Sequence, residues 1–373
     1  MAAVAAAILV APATMASAAT STRVGGPQRP AASGVLFVQT DNTTANTVVA
    51  YHRAPNGALT RHGIYATGGR GGVLQGSVVD HLASQGSLAY DRAAGLLYAV
   101  NAGSDTLTVF AVRGERLQRT QIIPTGGAFP VSVTFHNDRV WVLNALDGGS
   151  IQGFKRRGDQ LTGVDSWHRQ LGLDPDATPQ FTHTPGQISF TPDGGRLVVT
   201  TKAGANTIDV FPLRRDGRPA APVVTSVPDA VPFGFAFDPA GRLQVTEAGP
   251  NAVETFTLNR KGTLSSRGSA LTGQMATCWI TATNHLLYAS NAGSNTLSGY
   301  RVGRDGALVP LGTTSTDAGP VDSVASPDGR YLYVQTGGQG LVDAFRIRPD
   351  GHLTPIGSVA VPGALGGEGI VVG

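Results

Sequence analysis

Three side chains have complementary chemistry: Lys202 in "VVTTKAGANT" and Glu247 in "LQVTEAG", at the same place in adjacent stretches, and His183 in "FTHTPGQISF" shortly before them. A carboxylate that activates water, a cation that holds an oxyanion and an imidazole that returns a proton to an alkoxide would together open a cyclic ester. Lys202 and Glu247 are 45 residues apart. That interval recurs along the whole chain, so the elements that position these groups come next.

"LLYAVNAGSDTLTVFAV" (96–112) returns as "LLYASNAGSNTLSGYRV" (286–302) and, more loosely, as "RLVVTTKAGANTIDVFPL" (196–213). Each unit reads as a short apolar strand, a turn such as "SPDGR", a second strand, a Gly/Asn loop, a third strand, a second "DG" turn and a weaker fourth strand. Marking the end of the first strand at Tyr90, Phe135, Phe190, Phe237, Ala282, Ser326 and Val372 gives steps of 45, 55, 47, 45, 44 and 46. Four strands per period of about 40–50 residues predict an all-β, seven-bladed propeller of four-stranded antiparallel blades. "GVLFVQT" (34–40) aligns with a second strand and "GGEGIVVG" (366–373) with a first, so the two ends are expected to complete one blade and remove an open sheet edge.

Composition agrees with many short strands and tight turns: Gly is 50 of 373 residues and charged residues are 14 %. A formal charge of +3, scattered among turns, argues against a nucleic-acid partner. One cysteine, Cys278, permits no internal disulfide. The opening "MAAVAAAILVAPATMASAATS" reads as a signal peptide of residues 1–18, cleaved after Ala16-Ser17-Ala18, followed by a flexible segment 19–33 and the propeller 34–373. A secreted or envelope-associated monomer without an integral membrane segment is therefore expected.

In a meander blade, the loop entering the first strand and the loop joining the second and third strands share one end. Function is expected there, because those loops vary while the "PDG" turns at the other end repeat. Two entering loops are long: 68–85, with Arg70, Asp80, His81 and Gln85, and 164–187, with Trp167, His168, Arg169, His183 and Gln187. They should jointly roof the channel mouth. The predicted catalytic set is Glu247 as base, His183 as proton carrier and Lys202, with Gln85 or Gln187, as oxyanion holder. His81, Phe233, Trp279, Asp322 and Glu368 join Gln85 and Gln187 as binding residues. Bland roles compete with these: Asn101, Asn144 and Asn291 as turn caps, Trp279 as packing, Cys278 as a small buried hydrophobe, and Lys202 with Glu247 as a structural ion pair. No metal-ligand spacing, Walker motif, dinucleotide motif or nucleophile elbow stands in context, so no metal or other cofactor is expected.

The repeated "PDGR.LYV" and "NAGSNTLSGYRV..DGAL" units and the seven-blade layout resemble the lactonase-like propellers, the family of the propeller 6-phosphogluconolactonases and carboxymuconate cyclases. Glu247 in "LQVTEAG" fits that family's acidic position, and His183 in "HTPGQISF" lies slightly upstream of its paired histidines. The resemblance implies hydrolysis or isomerisation of a lactone or related cyclic small molecule at the channel mouth. The alternative is a non-catalytic propeller that binds a small molecule, a glycan or a protein there.

Overall fold

The apolar runs in the repeat are flanked by turn residues, and those of the second strands bury both faces between neighbouring sheets. In the computed structural model, which describes residues 33–373, these runs form seven separate four-stranded antiparallel sheets. The predicted signal peptide lies outside the described residues.

Blade 1 joins the two ends of the chain, Ile370–Val372 pairing with Gly34–Gln39, followed by Thr47–Arg53 and Leu59–Ala66. Its closing register sets Leu36 against Val372 and Val38 against Ile370. Blades 2 to 7 begin at Leu88, Pro130, Gln187, Pro232, Thr277 and Pro320, and each runs in sequence order from its first strand to its fourth. Second strands are buried along their length, as in Leu286–Asn291, whereas fourth strands such as Leu264–Leu271 are mostly exposed. The core therefore lies between blades, where Tyr51, Tyr98, Trp141, Tyr288 and Tyr333 are almost completely buried.

The repeated asparagines have the capping role expected of them. Asn101 donates to Thr106 Oγ1 at 3.1 Å and Thr108 Oγ1 at 2.9 Å, and Asn291 to Thr296 Oγ1 at 3.1 Å and Ser298 Oγ at 2.9 Å. Asn144 reaches Ser150 Oγ at 3.2 Å. Each amide thus fixes the loop between second and third strands, leaving the longer entering loops to differentiate the blades.

Candidate functional site

Segment 68–85 breaks the sevenfold repetition. Instead of passing directly from blade 1 to blade 2, it crosses the mouth and bonds to the tops of other blades. His81 N donates to Gly366 O at 2.8 Å, and Gln85 N to Gly186 O at 3.0 Å. Gln85 spans to blade 6, donating Nε2 to Ile280 O at 3.0 Å and accepting Ile280 N at 2.9 Å. Trp279 Nε1 answers by donating to Ser84 O at 2.6 Å. Two glycines permit this approach: a Cβ on Gly337 would lie 1.7 Å from Val79 O, and one on Gly234 would lie 2.2 Å from Gln85 Oε1. Neither distance leaves room for an ordinary side chain.

The second long loop supplies a short helical turn, Gln180–His183, that meets the first loop. Gln75 N donates to Gln180 Oε1 at 3.1 Å, and Phe181 N to Gln75 O at 3.2 Å. Lys202 ties both loops to blade 4. Its backbone takes a left-handed φ of 49°, unusual for a residue with a Cβ, and its ammonium donates to Ala83 O at 2.7 Å, Phe181 O at 2.7 Å and Thr184 Oγ1 at 3.1 Å. Three acceptors match the three N–H bonds of an ammonium group. The same nitrogen lies 5.3 Å from the centre of the Phe233 ring.

Under this roof is a half-open cavity of about 410 Å³. Val79, Phe181, Val231, Phe233 and Trp279 supply much of its wall; the ionisable residues lining it are Asp80, Lys202 and Cys278. Phe233 packs edge-on against Trp279, with ring centres 5.0 Å apart. Ser77 also lines the cavity, and its buried hydroxyl has no hydrogen-bond partner.

Burial dominates the electrostatics. It pushes the Asp80 carboxyl up to about 7, against backbone N–H donors at Leu82 and Ser84 and the charge of Lys202. Burial pulls Lys202 down to about 7, opposed by Asp80. The Cys278 thiol is pushed up to about 12 and stays protonated. Asp80 therefore changes charge near neutral pH, the property that suits a general base. Three further buried carboxyls gather around the same segment. Glu368 accepts Gly86 N at 2.6 Å, and Asp41 accepts Glu368 N at 2.8 Å. Burial raises Asp41 to about 7 and Asp322 to about 6, and burial with the neighbouring Asp322, Asp80 and Asp41 charges raises Glu368 well above the usual carboxylate range.

The expected convergence of Glu247, His183 and Lys202 is corrected by this geometry. Strand Leu243–Glu247 ends at the wall of the cavity, where alternation sends successive residues to opposite sides: Ala248 lines the cavity, while Glu247 lines a separate, more open cleft with Asp229 and Glu254. There burial and the Glu254 carboxyl raise Glu247 to about 8. Glu247 and Lys202 do not form the structural ion pair considered above, since Lys202 Nζ is engaged by three oxygens. His183 is not among the cavity-lining residues; its Nδ1 lies 2.9 Å from Thr182 Oγ1 and 3.0 Å from Pro179 O.

Among the predicted binding residues, Phe233 and Trp279 line the cavity. Gln85 has both ends of its amide committed to Ile280, and Gln187 Oε1 accepts Phe235 N at 2.6 Å. Asp322 and Glu368 belong to the buried carboxyl group. His81 packs its ring against Gly366. Sequence reasoning placed Asp80 in the correct loop without assigning it a role, and it passed over Ser77. The distinguishing signal, an acid followed at two and four residues by N–H groups that fold back on it, emerges only from the loop's conformation.

Among the described residues, no group of three or more His, Cys, Asp or Glu side chains is placed to hold a metal ion, and no helix is long and apolar enough to cross a membrane.

Similar architectures occur in proteins of low sequence identity. A Bacteroides fragilis protein provisionally named a 6-phosphogluconolactonase is 19 % identical, with 93 % of this chain and 99 % of that one aligned at a TM-score of 0.74. The periplasmic gluconolactonase PpgL of Pseudomonas aeruginosa is 19 % identical, with 91 % and 99 % aligned at 0.74. Virginiamycin B lyase of Staphylococcus aureus is 15 % identical, with 76 % and 87 % aligned at 0.55. At these identities the likeness is one of fold. No curated protein matches the chain. The family model "Lactonase, 7-bladed beta-propeller" matches residues 76–366, from the roofing segment through the last complete blade, and the chain therefore belongs to the lactonase family of seven-bladed β-propellers.

Proposed function

We propose that this propeller is an exported hydrolase that opens a lactone in the cavity beneath segment 68–85, with Asp80 as general base. The observation that carries the reading is the placement of Asp80 and Lys202, both buried, in the wall of one half-open and otherwise largely apolar cavity. Asp80 takes a proton from water as the water oxygen attacks the lactone carbonyl carbon. The ring C–O bond breaks, and the departing alkoxide receives that proton from Asp80, leaving a hydroxy acid. Lys202 acts through its charge: with all three N–H bonds engaged, it holds the roof in place and favours the developing negative charge nearby. Ser77 supplies a hydroxyl free of other partners for the carbonyl oxygen.

Family membership supports lactone chemistry, and the gluconolactone named for the Pseudomonas aeruginosa relative is one such substrate class. The Ala16-Ser17-Ala18 pattern and the periplasmic designation of that relative support export. The test is proton release in weak buffer against a panel of γ- and δ-lactones, comparing wild type with Asp80→Asn after circular dichroism has verified the variant's fold. Loss of about 100-fold or more in kcat/KM is expected for removal of a general base. Turnover within threefold of wild type would discard Asp80. No turnover by wild type on any lactone would favour a binding propeller. Intact-mass analysis of protein recovered outside the cell should lack residues 1–18; retention of Met1–Ala18 would overturn the export assignment.

A further inference from the structure

We infer that the cavity selects uncharged lactones carrying an aliphatic or aryl substituent, and excludes phosphorylated and polyhydroxylated ones; this rests on the reading of the cavity as the substrate site. Its walls are Val79, Phe181, Val231, Phe233 and Trp279, with small residues between them. A phosphate entering such a space needs a cation with N–H bonds to give. No arginine lines the cavity, and the single lysine there already donates to Ala83 O, Phe181 O and Thr184 Oγ1. A dianion would lose its water and meet the carboxyl of Asp80 with only the single Ser77 hydroxyl in compensation. Sugar hydroxyls fare little better, because the Trp279 indole N–H is engaged by Ser84 O and the Cys278 thiol is a weak donor.

The apolar surface continues outward. Val78 lines the cavity yet is 83 % exposed, and Met275, next to the lining residue Ala276, is 61 % exposed. Large apolar side chains left in water at the lip of an apolar cavity provide a path for a substituent too long to fit inside. The lactone ring is thus held near Asp80, and its tail runs between Phe181 and Trp279 toward Val78 and Met275.

Binding and turnover are measured separately to test this. Titrations by quenching of tryptophan fluorescence and by calorimetry use γ-butyrolactone, its γ-alkyl homologues up to a six-carbon chain, glucono-δ-lactone and 6-phosphogluconolactone. Affinity is expected to rise about fourfold per added methylene until the chain leaves the lip, with no saturable binding of the phosphorylated sugar. Ala248→Trp, which fills the cavity from a wall position outside the proposed chemistry, should abolish the chain-length gradient. Two alternatives separate the inference from the reading beneath it. A chain-length gradient in affinity without turnover would uphold the ligand class and defeat the hydrolase. Turnover that ignores chain length, or prefers the phosphorylated sugar, would uphold the hydrolase and overturn the ligand class.

Discussion

The buried carboxyls make this propeller less stable at pH 8 than at pH 6. In the unfolded chain Asp41, Asp322 and Glu368 have released their protons by pH 6, whereas folding raises Asp41 to about 7, Asp322 to about 6 and Glu368 well above its usual range. A folded value above the unfolded one means stability that is fully present at low pH and lost as pH rises through the folded value. Between pH 6 and 8, Asp41 accounts for a loss of about 1.4 kcal/mol and Asp322 for a few tenths, and Glu368 and Glu247, both raised by burial and neighbouring carboxyls, add to the loss. Asp80, raised to about 7, and Lys202, lowered to about 7, act in opposite directions and offset across a span centred on pH 7. His81, lowered by burial, acts against the trend by less than about 1 kcal/mol. The net expectation is a loss of more than about 1 kcal/mol, a measurable share of the stability of an ordinary domain. Denaturant unfolding at both pH values and constant ionic strength measures it directly. In Glu368→Gln, the amide oxygen still accepts Gly86 N and the amide N–H bonds can donate to Asp322, so the variant should fold and lose less stability between pH 6 and 8 than wild type. Equal or greater wild-type stability at pH 8 would mean that these carboxyls are ionised in the folded protein, and the reasoning would be refuted.

Three other consequences bear on the roof and the site. Lys202→Met removes the ammonium that three oxygens share and leaves Asp80 without its counter-charge, so a loss of about 3–5 kcal/mol is expected by denaturant titration, with the rise of kcat/KM with pH displaced to higher pH. Gln85→Leu strands Ile280 N and Ile280 O in the channel and should destabilise by about 2–3 kcal/mol, leaving the wall residues in place; a change under about 0.5 kcal/mol would show that the cross-channel bonds are dispensable. In the wild type, kcat/KM for a lactone should pass through a maximum near pH 7, rising as Asp80 loses its proton and falling as Lys202 loses its own, while Glu247→Gln stays within threefold of wild type because that side chain lines the neighbouring cleft. A Glu247→Gln variant inactive on every lactone would return the base to Glu247.

What the sequence revealed and what it withheld divide along one physical line. Strand order, blade number and closure through the chain ends were legible because each copy must bury two sheet faces, and burial writes itself as apolar periodicity between turn residues. The long loops were recognisable as a roof by length alone, and the structure joins them through Gln75, Gln180 and Phe181. Which side of a wall a residue occupies at a strand end was not legible. Glu247 and Ala248 are neighbours in sequence yet face different hollows, and a single step of the pleat separates a wall residue from a residue of the cleft beyond it.

Nor does a sequence record whether a polar group is already engaged. Lys202, Gln85 and Gln187 have the residue types that hold an oxyanion, but in the fold their donors or acceptors meet backbone of the crossing loops and neighbouring blades. Asp80 is engaged as well, by Leu82 N and Ser84 N, yet it lines the cavity beside Lys202. Seven near-equivalent blades would leave an open channel. Segment 68–85 crosses the mouth with its backbone held by Lys202 at Ala83 O and by Trp279 at Ser84 O, while Gln85 holds Ile280 in turn, and these bonds occupy the donors of those side chains. Facing the cavity beside Lys202 are an acid held by Leu82 N and Ser84 N and tuned by burial, an unpartnered hydroxyl and an apolar wall. The residues that make the roof and those that meet the ligand therefore overlap in Asp80, Lys202 and Trp279, so in this propeller the bonds that close the mouth also set the charge and the donors available beneath it.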